Sequence, residues 1–423
     1  MEKKQLTRSG FIRLAGGAGL LTLTGGFRAL AQSPKNSRHL VDTPLKREEY
    51  LFSLLKRICT DIGVHRFGTP EYEQVAEIIK KEMERALPKV EQDYAPFSLW
   101  EATNGPSLYV GDRELEVMPY KGIAGTPEGG ITGLLRKHES GGYYLLTDTL
   151  TGRQQAIISV NEYGRAISSS AYRNDREIGY VDPERPVEPR FNIGRQDQPV
   201  LEEAVANRTP VRVNIQTRFL PPKPGSSIIG TLPGQTREEI LFLAHADSPY
   251  NSPGANDNTA SVIIMLMLAH AFSGLPQKKT ITFMATGGEE DGKIGAIHYA
   301  EKRKREGTLK NIRYAVNFDS LTYGPNLQLY SKEKGIKDMI GDIHRDLKIE
   351  GTPKYFDSDG FVMDAMPFRH PGAKALYVNS RGYDGITLPV YHRPEDLPVT
   401  VAANCAEIGF QVFGELIRRL QKI

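Results

Sequence analysis

The chain has 423 residues, of which 39% are hydrophobic and 25% are charged, so a sizeable core and more than one average domain are expected. The formal net charge is +3, but residues 1–31 alone carry five basic residues and one acid. The remainder holds 49 of the 54 basic and 50 of the 51 acidic residues, a net charge of −1. This balance argues against nucleic acid or an anionic membrane as the main partner.

The first 31 residues have the pattern of a bacterial export signal. A basic start is followed by the apolar run LAGGAGLLTLTGGF, and Ala29-Leu30-Ala31 forms a small-x-small cleavage site. The stretch TRSGFIR resembles the twin-arginine signal, but Ser9 stands where the second arginine belongs, so the export route stays open. The apolar run is shorter than the roughly 20 residues that a membrane-spanning helix needs. We therefore predict cleavage after Ala31 and an exported protein, periplasmic or extracellular, with no membrane anchor after signal cleavage.

Two amphipathic helices are predicted to open the mature fold within residues 40–95. REEYLFSLLKRICTDIG and PEYEQVAEIIKKEMERAL both place apolar residues at helical spacing. From residue 96 to 219 the pattern changes to short β-type runs such as SLYVG, YYLLTDT and QAIISV, separated by Gly, Pro and Asp. This change indicates a smaller β-rich domain inserted into the chain. The stretch LPPKPGSS is typical of the linker that follows such a domain.

Residues 226–423 alternate β-type runs with helical runs. EILFLAHA, TITFMAT, YAVNFDS and KALYVN have the composition of strands, and TASVIIMLMLAHAF and KGIKDMIGDIHRDL that of helices. The alternation predicts the α/β class, with a three-layer α/β/α arrangement around a mixed, largely parallel central sheet. In such sheets, ligands bind beyond the carboxyl ends of the strands.

The two cysteines, Cys59 and Cys405, both lie in apolar, helix-like stretches. They could pair in an oxidising compartment, but a buried free thiol is the commoner outcome in such surroundings. Whether they pair stays open at this point.

Side chains that bind metals follow the predicted strands at one edge of the sheet. They are His245 and Asp247 after EILFLA, Asp257 before the next helix, Glu289 and Glu290 after TITFMAT, Asp319 after YAVNF, and His392 late in the chain. Each alone could be a helix cap or a turn residue. Crowded carboxylates repel one another, however, so their coincidence at one edge indicates a bound cation.

The residue set fits two metal ions better than one. Two zinc ions about 3.5–4 Å apart need a bridging carboxylate and a general base that is not itself a ligand. The seven residues suffice for this, with one carboxylate left to orient a histidine. Because successive strand residues point to opposite faces, the adjacent Glu289 and Glu290 are expected to have different roles. The spacing alone does not say which residue has which role.

The motif series AHADS, GANDN, GGEEDGKIGA, NFDS and YHRPED resembles that of the zinc-dependent exopeptidases. This family includes bacterial leucyl-type aminopeptidases, glutamate carboxypeptidase and the transferrin receptor. The resemblance covers residue 227 to the C terminus and the two opening helices, and it implies two zinc ions per chain. It also implies the following roles: His245 and Asp319 on one ion, Glu290 and His392 on the other, Asp257 as the bridge, Glu289 as general base and Asp247 as the partner of His245. In the implied mechanism, zinc-bound water loses a proton to Glu289 and attacks the scissile carbonyl.

Two further likenesses concern Tyr355 and the β-rich insert. Tyr355 precedes Ser358-Asp359 by three residues, like the family tyrosine that contacts the oxyanion, although Gly360 replaces the histidine that usually follows. It is a candidate electrophilic helper, or else a ring that packs at a strand end. The stretch PRFNIGRQDQPVLEEAVANRTPVRVNIQTRF resembles the end of a protease-associated domain, which is expected to border the cleft and restrict access. An unrelated β-rich insert is the alternative.

The expected function is that of an exported two-zinc aminopeptidase that releases N-terminal residues from a peptide substrate. Three alternatives share the fold. A glutaminyl cyclase normally uses one zinc ion, and a carboxypeptidase would need basic groups such as Arg381 or Arg393 for a terminal carboxylate. A non-catalytic binding protein would be expected to have lost the metal ligands. The sequence pattern is silent on the oligomeric state and on the preferred substrate residue.

Overall fold

The computed structural model describes residues 36–171, 183–358, 363–382 and 389–423. The predicted export signal, residues 1–31, lies outside these described residues, as do Asp359 and Gly360. Within the described ranges, none of the helices combines the length and the hydropathy that crossing a bilayer requires.

Two helices and a strand begin the described chain. They are α1 (Pro44–Leu55), α2 (Pro70–Ala86) and β1 (Lys89–Phe97). Each helix starts with a threonine cap and a proline in its first turn: Thr43 accepts from the Lys46 amide and Thr69 from the Tyr72 amide. A π-helical segment, Lys56–Ile62, extends α1 and ends at Gly63, whose φ of 86° favours glycine.

A second sheet follows, built from short strands. The elements are β2 (Trp100–Ala102), β3 (Ser107–Val110), β4 (Arg113–Leu115), β5 (Met118–Lys121), β6 (Ile131–Lys137), β7 (Tyr143–Thr147), β8 (Gln154–Asn161), β9 (Ser169–Ser170), β10 (Arg190–Gly194), α3 (Gln198–Asn207), β11 (Val211–Asn214) and β12 (Thr217–Phe219). Among the described residues, nine of these strands pair in the order β4-β3-β11-β6-β7-β8-β10-β5-β9, while β2 pairs with β12. The sheet has its own apolar core, which includes Trp100, Tyr144 and Phe191.

The remaining elements form the central sheet and its covering helices. They are β13 (Lys223–Leu232), β14 (Thr236–His245), α4 (Ala260–Phe272), β15 (Lys279–Thr286), α5 (Ile294–Arg305), β16 (Ile312–Phe318), β17 (Asn326–Tyr330), α6 (Lys334–Leu347), β18 (Lys354–Phe356), β19 (Lys374–Arg381) and α7 (Ala403–Leu420). The strand order in the described chain is β1-β13-β15-β14-β16-β19-β17-β18. Strands β15, β14, β16 and β19 run parallel, and β1 and β13 run antiparallel to their neighbours. Strand β17 is antiparallel to β19 and parallel to β18.

Alternate residues of β14 face two different apolar layers. Phe242 packs in the cluster that contains α1, α2, α4, α6 and α7, whereas Leu241 and Leu243 pack with residues of α5. A strand that is apolar on both faces must be covered on both faces, which is why EILFLAHA is a continuous hydrophobic run. The predicted α/β class with a mixed, largely parallel central sheet is confirmed.

Both cysteines are free and buried. Cys59 lies in the π-helical segment and Cys405 in α7. Burial raises the pKa of each thiol to about 12. These thiols are therefore inert side chains of the core in the native state.

We expect that neither thiol of the native protein reacts with an aromatic disulfide reagent at pH 8, because both are buried and protonated. After unfolding in guanidinium without reductant, both should react. Colorimetric titration checks this. A denatured chain with no reactive thiol would show that the two cysteines are paired, contrary to the structure.

Candidate metal centre

Three strand ends of the central sheet carry the first set of donor side chains. His245 is the last residue of β14, Asp319 follows β16, and Glu289 and Glu290 follow β15 after two glycines. Because β14, β15 and β16 are parallel neighbours, their carboxyl ends meet at one edge. Local sequence and strand pairing together therefore bring four of the predicted residues together.

Two loops complete the cluster. Asp257 lies in the segment Ala255–Thr259 that leads into α4, and His392 lies in the loop before α7. The His245 Nε2 atom is 3.3 Å from Asp257 Oδ1 and 3.8 Å from Asp319 Oδ1. The His392 Nε2 atom is 3.3 Å from Asp257 Oδ2 and 3.2 Å from Glu290 Oε1. Asp257 thus offers one oxygen to each histidine.

The donors form overlapping groups of the size and chemistry that a metal ion requires. In the described residues, potential ligand atoms lie within 4.8 Å of one another in three groups: His245 with Asp257 and Asp319, Asp257 with Glu290 and His392, and His245 with Glu289 and Glu290. Imidazole nitrogen and carboxylate oxygen are ligands that zinc accepts. The residues of these groups therefore fit a bound zinc ion, and Asp257 belongs to two of the groups.

The electrostatics of the cluster also favour bound positive charge. Burial alone would lower the pKa of His245, but its contacts with Asp257 and Asp319 raise it well above the usual range. The pKa of His392 is likewise raised by Glu290 and Asp257, despite burial. The carboxylates therefore favour a positive charge beside each ring, which a bound metal ion would supply.

Both histidines are oriented by backbone carbonyl groups. The Nδ1 atom of His245 is 3.0 Å from the carbonyl oxygen of Asp247, and that of His392 is 2.9 Å from the carbonyl oxygen of Ser168. When Nδ1–H donates to these oxygens, each Nε2 is left with a free lone pair facing the cluster.

The carboxylate of Asp247 supports the turn that carries the two glutamates. Its Oδ1 accepts from the amides of Gly288 and Glu289 at 2.9 and 3.1 Å, and its Oδ2 accepts from the Glu290 amide at 3.2 Å. Its distance to His245 Nδ1 is longer, 3.8 Å. Asp247, the expected partner of His245, thus contacts the His245 ring mainly through its backbone carbonyl group. Its carboxylate instead holds the backbone of Glu289 and Glu290.

Glu289 and Glu290 have different environments, although not for the expected reason. Strand β15 ends at Thr286, so both glutamates lie in the following turn, where strand alternation does not apply. Burial raises the pKa of Glu289 well above its usual range. For Glu290, burial is outweighed by His392 and Lys121, which lower the pKa to about 2. A pair with pKa values moved apart is suited to separate acid–base and ligand roles.

A second carboxylate, Asp396, holds the loop of Asp257. It accepts from the Asn256 amide at 2.9 Å, from the Asn256 side chain at 2.8 Å and from the Asp257 amide at 3.1 Å. Sequence reasoning did not single out this residue. The signal was present, because Asp396 closes the motif YHRPED that also contains His392.

The cluster lines a cavity of about 260 Å³. Further lining residues come from both sheets and from the loops between them: Tyr163, Ser169, Ser170, Lys293, Ser320, Met363, Tyr377, Asn379, Arg381 and Tyr391. The second sheet therefore forms part of the cavity wall.

Tyr355 does not reach this cavity. It lies on β18 at the edge of the central sheet, is 47% exposed, and is not among the described residues that line the cavity. The proposed electrophilic role therefore has no support in the geometry, because β18 lies beyond β17 and away from the ligand-bearing strands. A different tyrosine, Tyr391, lines the cavity. Its ring stacks on that of His392, with ring centroids 3.9 Å apart. Its position directly before His392 was a signal that sequence reasoning missed.

Comparison with known proteins adds a family and a fold. The model of peptidase family M28 matches residues 227–413. Aminopeptidase YwaD of Bacillus subtilis is 26% identical over 405 residues, which cover 89% of this chain and 87% of that protein. The structure of BSAP, a zinc aminopeptidase from Bacillus subtilis, superposes with a TM-score of 0.66 at 19% identity, over 88% of this chain and 95% of that chain.

A further solved structure has the same fold but a different activity. The glutaminyl cyclase of an Acidobacteriales bacterium matches with a TM-score of 0.52 at 15% identity, over 93% of this chain and 97% of that chain. At these identities the two structural likenesses show the fold alone. The family match over residues 227–413 agrees with the sequence-based prediction of the family, whereas the likeness of the insert to a protease-associated domain stays a prediction.

We expect Zn²⁺ to raise the melting temperature of the chelator-treated protein by several degrees. A site in a thousandfold excess of free ligand over its Kd stabilises the fold by about 4 kcal/mol. Asp257→Asn should lose most of this shift, because both donor groups share that carboxylate. Asp346→Asn, at an exposed carboxylate paired with Arg419, is the matched control and should keep it. An equal shift in the Asp257 variant would rule out the assigned site.

Proposed function

Because the model of peptidase family M28 matches residues 227–413, we propose that this protein is a zinc-dependent aminopeptidase that removes N-terminal residues from peptides. The observation that carries the proposal is the Asp257 carboxylate, which offers one oxygen to each of two histidine-containing donor groups. YwaD is named an aminopeptidase and BSAP a zinc aminopeptidase, which supports the same activity here.

We assign two zinc ions to the cluster. His245 and Asp319 would hold one ion, Glu290 and His392 would hold the other, and Asp257 belongs to both donor groups. When bound, zinc polarises a carbonyl group and lowers the pKa of water, so that hydrolysis proceeds near neutral pH.

Glu289 is the general base and then the general acid. Its side chain is half-buried, lines the cavity and belongs to a donor group with His245 and Glu290. A Glu289 oxygen takes a proton from the attacking water as the water oxygen bonds to the scissile carbon. The same oxygen gives the proton to the amide nitrogen as the C–N bond breaks. The carboxyl group is suited to this exchange because it can both accept and release a proton.

Tyr391 is the hydrogen-bond donor to the substrate carbonyl oxygen in this proposal. It lines the cavity beside His392. Burial and the carboxylates of Asp257 and Glu290 raise its pKa well above the usual range, so the hydroxyl stays protonated and able to donate. A donor directed at a developing oxyanion stabilises the transition state.

The small cavity, walled partly by the second sheet, favours a chain end over an internal peptide bond. We therefore assign to residues 96–219 the role of an inserted domain that restricts access to the site. The pattern of residues 1–31 supports export, with cleavage after Ala31 and action on peptides in the periplasm or outside the cell.

Glu289→Gln should bind zinc as the wild-type protein does, yet lose activity on aminoacyl substrates. The amide keeps the size of the side chain but cannot accept a proton, so kcat should fall by about 10²–10⁴-fold. Steady-state kinetics and the zinc content of the purified variant measure both quantities.

Glu301→Gln is the matched control for this variant. Glu301 lies on α5 with a side chain that is 56% exposed, so the same chemical change there should leave both kcat and zinc content unaltered. Wild-type turnover in the Glu289 variant would show that another residue transfers the proton.

One observation favours a second candidate, a carboxypeptidase. Arg381 lines the cavity, and within the described residues no carboxylate lies at ion-pair distance from its guanidinium group, which donates to the Ser380 carbonyl. Such a cation could bind a terminal carboxylate. Arg393 could not, because it is buried, pairs with Glu116 and Glu395, and donates to the Ala166 carbonyl.

Peptides blocked at one end distinguish the candidates. An aminopeptidase should cleave a C-terminally amidated peptide and leave its N-acetylated counterpart intact, whereas a carboxypeptidase should do the reverse. A peptide with N-terminal glutamine tests the cyclase, because cyclisation releases ammonia and no amino acid. Mass spectrometry of the products identifies each case. Cleavage that needs the free carboxyl end would contradict our assignment.

A further inference from the structure

A buried lysine of the second sheet reaches the candidate metal centre. Lys121, the last residue of β5, has a side chain that is 1% exposed. Fully buried lysines are rare, because an unpaired ammonium group in the interior is costly. The partners of this group should therefore account for its presence.

The partners of Lys121 are Glu290 and Asp291. Its Nζ donates to the Glu290 carbonyl oxygen at 2.5 Å and lies 3.6 Å from Glu290 Oε2. It is also 3.2 Å from Asp291 Oδ1. The ammonium group thus contacts both the backbone and the side chain of a residue that we assign as a metal ligand.

Ser170 is a second donor to the same carbonyl. Its hydroxyl lies 2.9 Å from the Glu290 oxygen. Strands β5 and β9 are parallel neighbours in which Lys121 pairs with Ser170, so the two donors are held side by side. Two donors at the edge of the second sheet therefore bind the Glu290 carbonyl oxygen.

The Glu290 carboxylate is divided between two environments. Its Oε1 is 3.2 Å from His392 Nε2 and faces the donor group of Asp257 and His392. Its Oε2 faces Lys121. A group that holds one oxygen fixes the direction of the other, as outer partners of metal ligands generally do.

We propose that Lys121 is a positioning residue for the metal subsite of Asp257, Glu290 and His392. The inference rests on the proposed function, and it makes the second sheet a structural part of that subsite. The competing role is neutralisation alone: Lys121 would offset the charge of Asp291 and leave the direction of the ligand unaffected.

The two roles predict opposite signs for Lys121→Met. Removing a positive charge near the subsite would by itself strengthen cation binding, since like charges repel. Removing a positioning contact weakens it, typically by about 10–100-fold for a partner of a metal ligand. We expect the second effect to win, with at least one zinc ion bound about tenfold or more weakly. Competition with a chromophoric chelator and zinc content after dialysis measure this without reference to activity.

Ser170→Ala provides a test with no change of charge. It removes one of the two donors to the Glu290 carbonyl, so zinc binding should weaken, by less than in Lys121→Met. The melting curve of the chelator-treated Lys121→Met variant reports whether that variant folds. If it does not fold, zinc binding by Ser170→Ala alone tests the positioning role. Lys137→Met, on the same sheet with a side chain 49% exposed, is the matched control and should bind zinc like the wild type.

Failure of this inference can be told apart from failure of the proposed function. Wild-type protein that binds fewer than two zinc ions would contradict the two-zinc assignment. Unchanged or tighter zinc binding in the Lys121 and Ser170 variants, relative to the wild type and the Lys137 control, would overturn the positioning role.

Discussion

The carboxylates buried at the carboxyl ends of β14, β15 and β16 are the constraint on which the rest of the structure depends. Buried charges of one sign cost several kcal/mol each unless cations offset them. His245 and His392 flank Asp257, and contacts with the carboxylates raise the pKa of both rings. A cluster of carboxylates that is unfavourable in a core is suited to a divalent ion.

Two further carboxylates hold this cluster by means of the backbone. Asp247 accepts three amide hydrogens from the turn that carries the glutamates, and Asp396 accepts amide and side-chain hydrogens from the loop of Asp257. Buried amides without partners are unfavourable, so each carboxylate satisfies its loop and fixes it in one conformation. The direction of the donor side chains therefore follows from backbone hydrogen bonds made a few ångströms away.

Much of the centre could be predicted from the sequence because three of its parts follow parallel strands. His245, Glu290 and Asp319 end or closely follow apolar runs, which predicts donors at one edge, and the parallel pairing of the strands brings those donors together. Tyr355 was singled out from a neighbouring motif, and that motif carries no information about the position of β18 beyond β17. Lys121 could not be found, because nothing local to β5 indicates that it faces a residue 169 positions away.

The hydrogen bond from His392 to the Ser168 carbonyl bears on how such a protein can be divided. The sequence pattern separates the β-rich residues 96–219 from residues 226–423, which carry the zinc-type motifs, and this suggests two modules. The hydrogen bond joins the two segments, because the His392 ring is oriented by Ser168 of the β-rich segment. A shortened version made by joining the flanking segments would keep every ligand in its sequence and lose the support of one. The support of the donor set thus extends beyond the stretch that contains its motifs.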